Sequence, residues 1–242
     1  MFTAYLKRGL TAGFVGGVVY GLFVALVGNP LVAFAETFEQ GHGAREAVLS
    51  ATTATATSVA AGVVWGLLLG GLAFGVAYYF LEPAIPGAAD TKGYLLAAAG
   101  FLTVSGAPWL VLPPQPPGVE QALATEPRLA WYGLMVVAGG LACGISLAVY
   151  NRLGSDGWAR RLLGAALPFA VPVALVAVAP GNPISGAVPG TFVAVFRWTV
   201  AFGQLLLWLT LASAHAWLVR RERCTGTGGP SVTDLGPLST PE

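Results

Sequence analysis

The chain alternates between long apolar stretches and short polar connectors. Six stretches stand out, at residues 9–35, 57–81, 94–112, 129–150, 162–179 and 192–219. None alternates apolar and polar residues with the period of two that a barrel strand requires, and all are too long to be one strand. They are rich in Ala, Leu and Gly. At a rise of about 1.5 Å per residue, a helix of each length crosses or nearly crosses a hydrocarbon core of about 30 Å. The pattern therefore predicts an all-α polytopic membrane protein, a bundle of six transmembrane helices. The third and fifth stretches are the shortest, so a tilted or re-entrant element is the alternative there. The first run follows Lys7 and Arg8 as a signal peptide would, but it is far longer than an h-region of about 7–15 residues, which makes it a retained helix. After Arg223 the chain turns Gly-, Thr- and Pro-rich, so the expected organisation is a membrane domain over 1–223 and a disordered cytoplasmic tail over 224–242.

Composition agrees with lipid as the solvent. Apolar residues make up 55% of the chain and charged residues only 10%, against about 25% in soluble domains. The net charge of +1 gives no sign of nucleic-acid binding. Charge also sets an orientation. With the amino terminus inside, the inner segments carry Lys7, Arg8, Lys92, Arg152, Arg160, Arg161, Arg220, Arg221 and Arg223, and the outer ones only Arg45, Arg128 and Arg197. That bias puts both termini in the cytoplasm of a cell whose plasma membrane the chain crosses repeatedly. Cys143 and Cys224 suggest neither a disulfide framework nor a thiolate cage.

Glycine and proline add detail. Gly13, Gly17 and Gly21 recur every four residues in the first stretch, Gly62, Gly66 and Gly70 in the second, and Gly140 and Gly144 in the fourth. Such spacing makes a groove that a neighbouring helix backbone can enter, either as fixed packing or as a sliding surface. The outward-going stretches all end in proline-rich corners: Gly28-Asn29-Pro30, the run Pro113 to Gly118, and Pro180-Gly181-Asn182-Pro183. Proline cannot continue a helix, so the outer face is expected to carry rigid connectors with freed carbonyls and the amide side chains of Asn29, Gln115 and Asn182.

Chemistry-bearing residues are few. Glu36, Glu39 and His42 follow the first stretch at intervals of three, and two carboxylates with an imidazole suit a divalent first-row ion. With Glu120 they form a candidate metal-capture site at an outer mouth; the alternative is a solvated acidic loop. Arg197 lies about one turn inside the last stretch and either pairs with Glu120, Glu126 or the carbonyls of the proline corners, or snorkels to the outer interface. Gln204 is placed for an interhelical hydrogen bond. His215, beside Trp217, reads as an interfacial residue. The chain has no HExxH, CxxC, P-loop or nucleophile elbow, and its only aspartates are Asp90, Asp156 and Asp234. No enzyme activity and no permanently bound cofactor are expected.

The run Ala107-Pro108-Trp109-Leu110-Val111-Leu112-Pro113-Pro114-Gln115-Pro116-Pro117-Gly118, followed by Arg128 and Trp131-Tyr132, resembles the central signature of the CbtA family of proposed cobalt transporter subunits. The segments around Pro30-Leu31 with Ala35 to Glu39, and from Ala179-Pro180 to Pro189, are similar to it as well. The resemblance implies a membrane subunit for Co²⁺ uptake with Co²⁺ as the transported ion, and a small one-span, histidine-rich partner of the CbtB kind. It implies roles for the acidic pair Glu36 and Glu39 and for Arg128, whereas Gln115 stands where the family often has a carboxylate. A homo-oligomer is compatible with the same reading. The alternative is a non-transport scaffold or sensor subunit of a metal-homeostasis complex.

Overall fold

The computed structural model describes residues 2–38, 51–154 and 157–226. Helix dominates these residues. Five runs are long and apolar enough to cross a membrane: α1 (Phe2–Glu36), α2 (Thr52–Leu81), α4 (Thr125–Arg152), α5 (Trp158–Val176) and α6, which spans Gly190–Gly226. Between α2 and α4 the chain is helical without a break over 89–109, here α3. α3 overlaps the third predicted stretch but is less apolar than the other five, with Asp90 and Lys92 in its first turn and Pro108 near its end.

The expected corner at Gly28-Asn29-Pro30 does not form. Helix α1 runs straight through it, with a π-helical turn at Val24–Gly28 and Pro30 in the first turn of the next α segment. The reason is local. Proline lacks an N–H and its ring crowds the carbonyl four residues back. A widened turn just before it relieves both problems without stopping the helix. The same device precedes Pro108, where the π turn covers Leu102–Gly106. There the hydroxyl of Tyr132 on α4 donates to the Val104 carbonyl, four residues before the proline, at 2.9 Å. A third π turn, Leu68–Gly75, lies in the glycine-rich part of α2.

Helices α1 and α2 pack antiparallel, with Gly9 beside Gly75 at one end and Gly21 beside Val59 at the other. The α1–α2 contact is made by backbone rather than side chains. A Cβ added to Gly13 would sit 2.8 Å from Gly70 Cα, one added to Gly21 2.7 Å from Val59 Cα, and one added to Gly62 2.6 Å from Gly21 Cα. Only glycine fits such an approach, which in lipid replaces hydrophobic burial with dispersion and close Cα–H···O contacts. In α4 the close glycine is Gly139, whose added Cβ would meet Ala107 Cβ at 2.9 Å. Gly144 faces open space and Gly140 touches only the Thr103 methyl, at 3.5 Å.

The core is shared by α1, α2, α3 and α6. Ala12, Phe74, Tyr78, Leu96, Ala97, Trp208, Leu211 and Ala212 form one buried cluster, with Ile85 from the connector after α2. Helix α4 leans on α3 from outside, and α5 packs on α4. Gly164 lies against Val149 and Leu153, and the Arg161 guanidinium sits 3.9 Å above the Tyr150 ring. The remainder of α5 is largely exposed on the molecule's flank.

Candidate functional site

One end of the molecule is closed by two connectors that clasp each other. β1 (Glu120–Gln121), between α3 and α4, pairs antiparallel with β2 (Ile184–Ser185), between α5 and α6, in the register Glu120↔Ser185 and Gln121↔Ile184. The turns beside the strands need glycine. Gly118 has φ +81° and Gly186 φ +143°, and a Cβ on Gly186 would also lie 2.7 Å from the Gly118 carbonyl oxygen. Asn182 locks the pair. Its Oδ1 accepts from the Leu123 N–H at 3.0 Å and its Nδ2 donates to Gln121 Oε1 at 3.0 Å, while Ala122 N–H donates to the Pro183 carbonyl at 3.1 Å.

Arg197 joins the same clasp from the first turns of α6. Its Nε donates to the Pro114 carbonyl at 3.3 Å and its Nη2 to Gln115 Oε1 at 3.0 Å. Of the two sets of partners considered for it, the structure has the proline corner and its amide rather than Glu120 or Glu126. Prolines in this run withhold N–H donors and leave carbonyls free, and a half-buried guanidinium collects one of them. Arg128 lies in the first turn of α4. Its Nη2 donates to Thr125 Oγ1 at 3.1 Å, and its buried Nε has no partner. Asn29 ties α1 to α2 by accepting from Ser58 Oγ at 3.1 Å.

Glu36 is the exposed last residue of α1, and Glu120 is exposed on β1. Glu39 and His42 lie outside the described residues. Among the described residues no three His, Cys, Asp or Glu side chains come together as metal ligands.

The opposite end holds the charges. Arg8 donates to Glu222 through Nε, at 3.0 Å, and through Nη2. The Tyr5 hydroxyl donates to Glu82 Oε2, Lys92 Nζ donates to the Glu82 carbonyl at 2.6 Å, and Arg220 lies 3.7 Å from Asp90. A polar cavity of about 270 Å³ lies among Arg8, Glu82, Ala89, Val219, Glu222 and Arg223.

His215 requires a correction. It is not an interfacial residue: it is 1% exposed, with its ring 4.5 Å from that of Tyr78 and 5.1 Å from that of Phe74, and its Nδ1 has no partner. Higher in α6, Gln204 Nε2 donates to the Tyr20 hydroxyl at 3.3 Å. The signal that could have placed His215 inside was its spacing from Gln204 and Trp208, which puts all three on one helical face.

The signature-like segments are thus in contact: the Pro108 turn with Tyr132, and Gly118 with Gly186. No curated protein and no solved structure matches the chain. The family model described as probable cobalt transporter subunit (CbtA) matches residues 2–220, nearly the whole described chain. With its apolar helices of membrane-crossing length, this is a multi-pass protein of the plasma membrane, and the chain belongs to the CbtA family of probable cobalt transporter subunits.

Proposed function

We propose that the chain is the membrane subunit of a Co²⁺ uptake system. It would cross the bilayer six times, with α3 as the sixth crossing and both termini in the cytoplasm. The observation that carries this reading is the family match over 2–220. Two features support the orientation. The Arg8–Glu222 and Arg220–Asp90 pairs gather at one end of the molecule, and the inner-segment charges of the sequence belong to that end. Cytoplasmic segments are the ones enriched in Lys and Arg.

In this reading the clasped connectors form the outer face. Glu36, Glu39, His42 and Glu120 collect the ion there as a weak capture site, in which carboxylates and one imidazole replace part of the hydration shell. Asn182 and the Arg197–Gln115 pair hold the connectors in place around the mouth. The inside-negative potential supplies the force, about 2.3 kcal/mol per charge per 100 mV, hence twice that for a divalent ion. A small histidine-rich one-span subunit adds imidazoles that this chain, with two histidines, does not have. The test is uptake of ⁵⁷Co by cells carrying the Glu36→Gln, Glu39→Gln double variant. Accumulation is expected to fall with protein level unchanged, and wild-type accumulation in the variant would remove the capture site from the account.

A further inference from the structure

The last helix carries a polar stripe whose ring residues, Trp208 and His215, have no role above. At 100° per residue, Arg197, Gln204, Trp208, His215 and Glu222 fall within an arc of about 40°, spread over roughly 37 Å of α6. This is the face that α6 turns to its neighbours. Arg197 reaches the outer clasp, Gln204 meets Tyr20 of α1, and Glu222 meets Arg8 of α1. The two rings between them rest on glycines of α3. A Cβ on Gly100 would stand 2.5 Å from the Trp208 ring, and one on Gly93 would stand 3.1 Å from His215 Nδ1.

Both rings carry a nitrogen that has no hydrogen-bond partner. Trp208 is 5% exposed and His215 1%, and neither Trp208 Nε1 nor His215 Nδ1 is satisfied. A buried donor or acceptor left without a partner carries a desolvation cost that nothing offsets. In a membrane core an apolar ring of the same size would avoid that cost, and polar groups held inside spans mark paths for ions or substrates. Facing glycines let each ring occupy the space that side chains of α3 would otherwise fill.

We propose that the cation crosses along the seam between α6 and α3, which Trp208 and His215 close in the structure described. When the rings swing off Gly100 and Gly93, the lone pair of the unprotonated His215 nitrogen ligates the passing ion, and Trp208 Nε1–H donates to one of its remaining waters. Because no three ligating side chains meet among the described residues, the ion keeps part of its hydration shell and pauses rather than stays. The seam ends at the polar cavity that Ala89 of α3 and Val219 of α6 border with Arg8, Glu82, Glu222 and Arg223, where Glu222 is paired with Arg8. The proposal deepens the transport reading and rests on it.

The test separates stability from transport. Trp208→Phe and His215→Leu each remove an unsatisfied nitrogen and keep most of the packing. If the two side chains are only core, both variants keep or gain thermal stability and accumulate ⁵⁷Co as the wild type does. That result would overturn the proposal. The seam instead requires preserved stability with lost uptake. Groups one step removed from a bound metal already cost about tenfold in affinity when deleted, so His215→Leu is expected to lower uptake at least about tenfold.

A second measurement does not depend on cobalt being the cargo. In a Cys143→Ala, Cys224→Ser background, single cysteines at Ala212 (or at Ala216, should the first variant not reach the membrane) are exposed to a hydrophilic thiol reagent in native membranes. Both positions are fully buried, whereas Leu209 is 57% exposed. The seam predicts labelling at Ala212→Cys or Ala216→Cys, slowed by added Co²⁺, and none at Leu209→Cys. Equal silence at all three positions refutes the seam even if the wild-type chain transports cobalt. Labelling without any wild-type uptake would leave the seam standing and remove the cobalt reading.

Discussion

Asn182 and Tyr132 show how single side chains repair what proline does to the backbone. Pro108 has no N–H to donate to the Val104 carbonyl four residues back, and the Tyr132 hydroxyl donates to it instead. Pro183 cannot donate, so Asn182 donates and accepts beside it. A hydrogen bond of this kind contributes about 0.5–1.5 kcal/mol net. Tyr132→Phe is therefore expected to lower stability by about 1 kcal/mol, and Asn182→Ala by about 1–2 kcal/mol, read as a lower midpoint of thermal unfolding in detergent. An unchanged midpoint in Asn182→Ala would mean that the connectors hold without it. Arg197 is a different case, because its two acceptors are neutral. Gln115→Glu would place a carboxylate within reach of its guanidinium and is expected to raise the midpoint, whereas Gln115→Leu is expected to lower it.

At the scale of elements, glycines decide which helices touch. The sequence pattern identified the runs in α1 and α2, but in α4 it pointed to Gly140 and Gly144, while the contact is made by Gly139. Spacing of four residues says that small residues share a face; it does not say that a neighbour lies there. Two alanine substitutions test the distinction. Gly139→Ala must displace Ala107 and is expected to cost about 1–3 kcal/mol, the usual range for overpacking. Gly144→Ala faces open space and should be neutral or stabilising, since alanine is the better helix former by about 1 kcal/mol. The six apolar stretches were legible because hydropathy over some twenty residues depends on no other part of the chain. The unbroken course of α1 through Pro30 was not, since a π turn carries no compositional mark. The β1–β2 clasp was equally hidden, because it joins segments 61 residues apart through Asn182.

The whole molecule is a four-helix core of α1, α2, α3 and α6, with α4 and α5 added on one flank. At this scale the proposed capture residues are the least legible part of the candidate site. Glu36 and Glu120 are exposed, and Glu39 and His42 lie outside the described residues. What composition concealed was the inside of the core, where Gln204, Trp208 and His215 line one face. Each looks incidental in a chain with so few polar residues, and they become a set only through the periodicity of α6. Orientation is open to a direct check. A fluorescent protein fused after residue 242 should fold and fluoresce, as it does only in the cytoplasm, and a periplasmic reporter placed between α3 and α4 should be active. The opposite pattern would invert the assignment of the clasped end to the outside.

Inward transport of Co²⁺ is the function proposed for this chain. The most direct measurement is accumulation of ⁵⁷Co in cobalt-dependent cells lacking other uptake routes, with the chain expressed alone and together with its one-span partner. Saturable accumulation that collapses when the membrane potential is dissipated is the expected result. Accumulation no greater than in cells without the chain, both with and without the partner, would contradict it.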